Sequence, residues 1–159
     1  MIQIGVLSDT HLSGPTEELT ALMEGAFREA ETILHAGDLT EISVLDAFPG
    51  RKMIAVCGNM DSAAVRREIP GCRVFQAGPF KIGLIHGWGG PSGIEERIAR
   101  EFNGVDCIVY GHTHQPSRRE REGIFLFNPG SFGSGRGTTP KSVGLLKLAD
   151  SISAEIIYL

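Results

Sequence analysis

Asp9 and His11 stand two residues apart directly after an apolar run, and four further groups of similar chemistry follow in similar places. Asp38 ends His35-Ala36-Gly37-Asp38, and Asn59 and Asp61 belong to Gly58-Asn59-Met60-Asp61. His86 precedes Gly87, and His112 and His114 follow Gly111, so four of the five histidines fall in this pattern. Carboxylate, amide and imidazole groups are the donors that hold divalent cations. A glycine beside such a residue lets the backbone turn sharply and approach closely. Taken singly, each piece has a plainer reading. Asp9-x-His11 fits an Asx-capped turn, Gly37-Asp38 and Gly58-Asn59 are ordinary turn dipeptides, and His86 has surface or core explanations. Two histidines one residue apart point to the same side of an extended segment, which suits joint metal binding. All five pieces, each after its own apolar run, point to a metal centre.

Such a centre needs strands that end together. Residues 2–7, 32–35 and 53–57 read as strands, with a helix over 17–30 and a short helix around 41–48 between them. Thr16, with Glu18 nearby, marks the start of the first helix. This strand–helix–strand order favours a parallel sheet in an α/β fold, where sites are built outside the carboxyl ends of strands. Arg73–Gln76 and Lys81–Ile85 flank Gly78-Pro79 as a hairpin, and residues 92–102 read as an amphipathic helix. Ile124–Phe127, Val143–Leu148 and Ala154–Tyr158 are the last strand candidates, expected in a largely antiparallel second sheet. The expectation is an α/β four-layer sandwich: two packed mixed β-sheets flanked by helices, in a single domain over 1–159.

The series Asp9-x-His11, Gly37-Asp38, Gly58-Asn59-x-Asp61, His86-Gly87 and Gly111-His112-x-His114 resembles the calcineurin-like metallophosphoesterase superfamily, in particular its small stand-alone phosphodiesterases. The resemblance runs from residue 4 to about 132, and the five-part series is highly specific. It implies that Asp9, His11, Asp38 and His114 hold one metal and that Asp38, Asn59, His86 and His112 hold a second. Asp38 would bridge the two. Nitrogen and oxygen donors without thiolate suit manganese first, or nickel, zinc, iron or cobalt, over hydrated magnesium. Two such ions roughly 3.5–4 Å apart lower the pKa of a water between them and clamp both oxygens of an in-line displacement. The implied reaction is hydrolysis of a small phosphodiester by a hydroxide bridging two divalent metals, with Asn59 also near the substrate.

One position departs from the phosphomonoesterase pattern Gly-Asn-His-Asp. Met60 stands where that histidine would protonate the leaving group. General acid catalysis contributes about 10²–10⁴-fold, so its loss favours phosphodiesters or easily expelled leaving groups. His11 or a water is the alternative proton source, with Met60 then only filling an apolar wall. Asp61 reads as a residue that orients a histidine ligand, or as a turn cap. Asn128-Pro129-Gly130-Ser131 either lines the site or forms a turn. Arg136, in the glycine-rich 133–140 stretch, is a candidate for substrate phosphate. Trp88 is placed to stack on a nucleobase or to shield the pocket. His35 reads as a satisfied core histidine, and 117–122 as a solvated turn.

The net charge of −4 argues against non-specific nucleic-acid binding. A membrane location is not expected, since no apolar run approaches the roughly 20 residues of a span and no signal peptide is legible. Cys57, Cys72 and Cys107 are an odd set without CxxC spacing, expected as reduced core thiols in a cytoplasmic protein. A homo-oligomer stays open. The alternative functions are a non-catalytic scaffold like a retromer subunit of the same superfamily, a broader phosphomonoesterase, or a nuclease.

Overall fold

The computed structural model describes residues 1–133 and 139–159. In β1 (Ile2–Leu7), Ile4 and Val6 enter one buried cluster while Leu7 enters another, the alternation a strand buried on both faces requires. β1 pairs in parallel with β2 (Thr32–His35), and β2 in parallel with β3 (Lys52–Ala55). β4 (Cys72–Ala77) and β5 (Phe80–Ile85) form the expected hairpin, with Ala77 opposite Phe80 across Gly78-Pro79. β5, β6 (Cys107–Val109) and β8 (Ile124–Asn128) run parallel, and β7 (Ser117–Arg121) closes the edge antiparallel to β8. β9 (Ser142–Leu148) and β10 (Ile152–Tyr158) complete two five-stranded sheets, ordered β10-β9-β1-β2-β3 and β4-β5-β6-β8-β7.

Three buried clusters define four layers. Between the sheets, Ile4, Val6, Leu34 and Ile54 meet Ile82, Leu84, Val109 and Phe127. Outside the first sheet, Leu7 and Ile33 pack on Leu19 of α1 (Glu17–Ala21), Val44 of a 3-10 helix (Ile42–Ala47) and Val65 of α2 (Ala63–Glu68). Outside the second, Ile85 and Ile108 pack on Ile94 and Ile98 of α3 (Ile94–Ala99). The two-sheet sandwich expected from the sequence is therefore present.

Several boundaries differ from expectation. β9 joins the first sheet antiparallel beside β1, with β10 at its edge, rather than entering a largely antiparallel second sheet; both sheets are mixed, as expected. Thr16 does cap α1 by accepting from the Leu19 amide, but regular helix stops at Ala21. Turns continue past Gly25, a residue that costs a helix interior about 1 kcal/mol. α3 starts only after Gly93, whose φ is +75°, and ends at Ala99. The stretch read as a solvated turn is β7, an exposed edge strand. Cys72 is exposed rather than a core thiol, while Cys107 is buried and Cys57 lies between; all three are free.

Candidate metal centre

Parallel pairing decides where the donors go. β1, β2 and β3 end side by side at one rim, and β5 and β6 end at the facing rim of the other sheet. Backbone bonds then stitch the loops together: Asp9 N–H donates to Gly37 O, His11 N–H to Asp38 O and Gly111 N–H to His86 O. The glycines do what the sequence implied. A Cβ at Gly58 would fall 2.7 Å from the Asp38 nitrogen and 2.8 Å from a His86 ring carbon. One at Gly111 would fall 2.8 Å from Asp9 Oδ2.

Asp9, His11, Asp38, Asn59, His86, His112 and His114 all converge on this rim. Asp9 Oδ1 lies 3.1 Å from His114 Nε2, 3.9 Å from His86 Nε2 and 4.0 Å from His11 Nε2. Asp38 Oδ2 lies 3.3 Å from His86 Nε2 and 3.9 Å from His11 Nε2. Asn59 Oδ1 is 3.2 Å from His86 Nε2 and 3.1 Å from His112 Nδ1. Two groups are knit tightly enough to enclose a cation, Asp9–His11–His114 and Asp9–Asp38–His86. Asp9 is common to both, and Asp38 also stands within reach of a histidine from each.

The donor set fits divalent cations. Asp9 Oδ1 is buried and, among the described residues, has no aligned hydrogen bond although three imidazole nitrogens surround it. A buried acceptor left in that state ordinarily costs about 1–3 kcal/mol, which a cation at the point of convergence would remove. The far sides of the rings are fixed accordingly. His86 Nδ1 donates to Ala36 O at 2.7 Å and His112 Nε2 to Gly89 O at 2.9 Å, leaving Nε2 and Nδ1 respectively turned inward. Burial pushes both the Asp9 and Asp38 carboxyls up. The opposing pull is stronger: His114, His86 and Ser8 on Asp9, and His86 and the Met60 amide on Asp38, hold both below the usual range. Burial lowers His86 in turn, but Asp38 and Asp9 raise it overall.

Five of the seven donors, Asp9, His11, Asp38, His112 and His114, have φ between +49° and +69°. That left-handed region is costly for most residues other than glycine, aspartate and histidine being among those that enter it most readily, and such positions cluster at functional sites.

Other residues take roles the sequence left open or missed. Among the described residues Asp61 has no bond to a histidine and instead caps the 58–61 turn, the second of its two readings. Its carboxylate accepts from the Asp38, Gly58 and Thr40 amides at 3.1, 2.6 and 2.6 Å, tying the loops after β2 and β3 together. Asn128 bonds Gly111 O and Thr113, and Ser131 donates to Asp9 O, so the 128–131 turn braces the rim. Met60 is exposed, and its amide donates to Asp38 Oδ1. His35 is buried, bonded to Thr10 and the Gly37 amide, and pushed down to about 3 by burial. Arg136 lies outside the described residues. Ser8, which donates to Asp9 Oδ2, and Arg66, which donates to Asn59 O and Asp61 O, carried no pattern in the sequence that would have marked them.

Two packed mixed sheets with such a rim define a metallophosphoesterase-type α/β sandwich. The sequence profile of the calcineurin-like phosphoesterase superfamily domain matches residues 2–151. A probable metallophosphoesterase of Methanothermobacter thermautotrophicus is 40% identical over 158 residues, spanning 97% of this chain and 91% of its own. Phosphodiesterase YfcE of Escherichia coli K12 is 31% identical over 168 residues, spanning 92% and 88%. Vps29 of Entamoeba histolytica, solved with zinc, shares the fold at a TM-score of 0.73, with 23% identity and 99% of both chains covered. The chain belongs to the calcineurin-like phosphoesterase superfamily. Among the described residues no helix is long and apolar enough to cross a membrane.

Proposed function

We propose that the protein is a phosphodiesterase that hydrolyses a small phosphodiester with the help of two divalent cations, the whole chain acting as one domain. Asp9, His11, Asp38 and His114 would hold one cation, and Asp38, Asn59, His86 and His112 the other, manganese being the first choice. Cations bound there would supply Lewis acidity towards a phosphoryl oxygen and bring the pKa of a water near neutrality. The observation that carries the reading is buried Asp9 Oδ1, without an aligned hydrogen bond among the described residues and with the Nε2 atoms of His114, His86 and His11 at 3.1, 3.9 and 4.0 Å.

The chain's own groups shape the rest. Asp38 and Asp9 stay ionised because the histidines outweigh their burial, so they remain donors at neutral pH. Asn59 adds a neutral oxygen, which preserves the positive field a phosphate needs. Water's oxygen forms the new P–O bond as the ester P–O bond breaks, giving a phosphomonoester and an alcohol. The departing oxygen takes its proton from solvent or a histidine, since the Met60 thioether has none to give. That weakness falls hardest on alkoxide leaving groups. The names of the two curated relatives agree with hydrolase chemistry. The free thiols Cys57, Cys72 and Cys107 agree with a reducing, cytoplasmic setting.

A scaffold role has the shared fold of Vps29 in its favour. Vps29 was itself solved with zinc, so gathered carboxylates and imidazoles do not separate the two readings and turnover must. The test is an assay of protein stripped of metal and then given manganese, against bis(p-nitrophenyl) phosphate and p-nitrophenyl phosphate. Manganese-dependent hydrolysis favouring the diester is expected. Equal or faster monoester hydrolysis would overturn the diester preference, and failure to take up metal or gain activity would favour the scaffold.

A further inference from the structure

Trp88, the chain's one tryptophan, follows the donor His86 by two residues and is 44% exposed. Solvent exposure of so large an aromatic, beside a site, calls for an occupant or a mobile cover. The loop that carries it is held too firmly for a cover. Arg97 of α3 donates to Trp88 O from Nε at 3.1 Å and from Nη2 at 2.8 Å, to Ser92 O at 2.9 Å, and to Gly90 O. Its guanidinium fork is thus spent on backbone carbonyls of this loop. Gly89, at φ +80°, makes room for it, since a Cβ there would meet Arg97 Nη2 at 3.1 Å. The same loop's Gly89 carbonyl accepts from His112, so the fixed loop and the metal centre are one unit.

Trp88, Asn59 and His86 line one open groove of about 510 Å³. Pro70, Cys72 and Ile85 add apolar wall and Glu101 an accepting group, while the Arg66 guanidinium at its edge is engaged with the Asn59 and Asp61 carbonyls. Clefts of roughly 300–1,000 Å³ with mostly apolar lining and a few polar groups are the usual seats of small ligands. A phosphate held at the donors would carry one ester group into this space. The cleft beside α3 lined by Glu95, Glu96 and Tyr110 includes none of the seven candidate metal donors, so a phosphate held at them would not reach into it.

We propose that the Trp88 cleft is the subsite for a planar heteroaromatic ester group, making the substrate a nucleoside phosphodiester whose base stacks on the indole. This rests on the phosphodiesterase reading above and adds the class of substrate. An indole face suits any base, and stacking tolerates base identity. Glu101 would accept from a base N–H.

The test uses the zinc-loaded protein and two phosphate dianions that differ only in the base, AMP and ribose 5-phosphate, titrated by calorimetry. AMP is expected to bind at least about fivefold more tightly, the low end of one base–aromatic stack. AMP should also quench the single tryptophan saturably at the same dissociation constant. W88A should bring the ratio of the two affinities to about one, and W88F should keep most of it. A ratio near one in the wild type, or one that survives W88A, overturns the proposal. Should W88A fail to fold, the wild-type ratio, the quench and W88F still decide. Equal, zinc-dependent binding of both phosphates refutes the subsite alone. Loss of zinc dependence, with no diester hydrolysis, refutes the underlying function as well.

Discussion

Replacing Asp61 with asparagine keeps the side chain's shape but turns one acceptor into a donor. The carboxylate now takes three backbone amides, from Asp38 and Gly58 on Oδ2 and from Thr40 on Oδ1. An asparagine with its carbonyl in the Oδ2 place keeps two of these bonds. Its NH2 group then faces the Thr40 N–H, donor against donor, in a position only 6% exposed. One hydrogen bond to a charged group is lost, worth about 1.5–3 kcal/mol. For a chain of 159 residues, about 2 kcal/mol corresponds to a Tm lower by about 4–8 °C. The assay is unfolding by heat and by urea in excess chelator, so that metal affinity does not enter the difference. Asp61→Ala, which loses all three bonds, should fall further. A D61N protein whose Tm stays within about 1 °C of wild type, yet binds metal far more weakly, would refute the reasoning and return Asp61 to the role of orienting a ligand.

Asp38→Asn should lower manganese-dependent diester hydrolysis by at least about a hundredfold, more than outer contacts to a metal ligand usually cost, with the circular dichroism spectrum unchanged. Adding metal to the stripped wild type should stabilise it by about 1.4 kcal/mol per tenfold excess over the dissociation constant, read as a rising Tm; a flat response would deny a native metal site. Met60→His, at an exposed position beside Asp38, should raise kcat/KM for an alkyl phosphomonoester relative to a diester by about tenfold or more. His35 is held neutral down to about pH 3, against an ordinary value of 6.5. The unfolded chain binds this proton first, so the contribution is complete above pH 6.5 and drains away as pH falls towards 3. The loss is about 1.4 kcal/mol per unit. Urea unfolding of chelated protein from pH 6.5 to 4 should show this slope, and His35→Gln should flatten it.

The site was legible because its donors obey a local rule. Each follows an apolar run at a strand's carboxyl end, and Gly37, Gly58 and Gly111 announce the close approach that the structure then requires. Parallel pairing turned that one-dimensional series into a cluster. What could not be read depends on partners far along the chain. Nothing in Val143–Leu148 says that its neighbour is β1, because antiparallel pairing across more than a hundred residues leaves no trace in local periodicity. β7 hid because an exposed edge strand shows no alternating apolar face, only Ser117-Arg118-Arg119-Glu120-Arg121. Of the two readings of Asp61 the turn cap fits, but its bonds to the Asp38 and Thr40 amides could not be read, because backbone amides are present everywhere and signalled nowhere. Arg97 escaped notice for the same reason, since it binds carbonyls and leaves no matching acid to find.

The left-handed backbone at Asp9, His11, Asp38, His112 and His114 also bears on how the chain can be altered. Each such residue gives up about 1–2 kcal/mol relative to an unstrained conformer, and glycine or asparagine would sit there with less discomfort. At Asp9 the surrounding imidazoles and Ser8 offset burial and keep the carboxylate ionised, so the backbone conformation is what a stabilising substitution would relieve there. A library of variants screened for heat resistance alone would therefore drift first at the donors, growing sturdier as it lost its chemistry. Thermostable descendants of this scaffold need a screen that watches phosphate cleavage at every round.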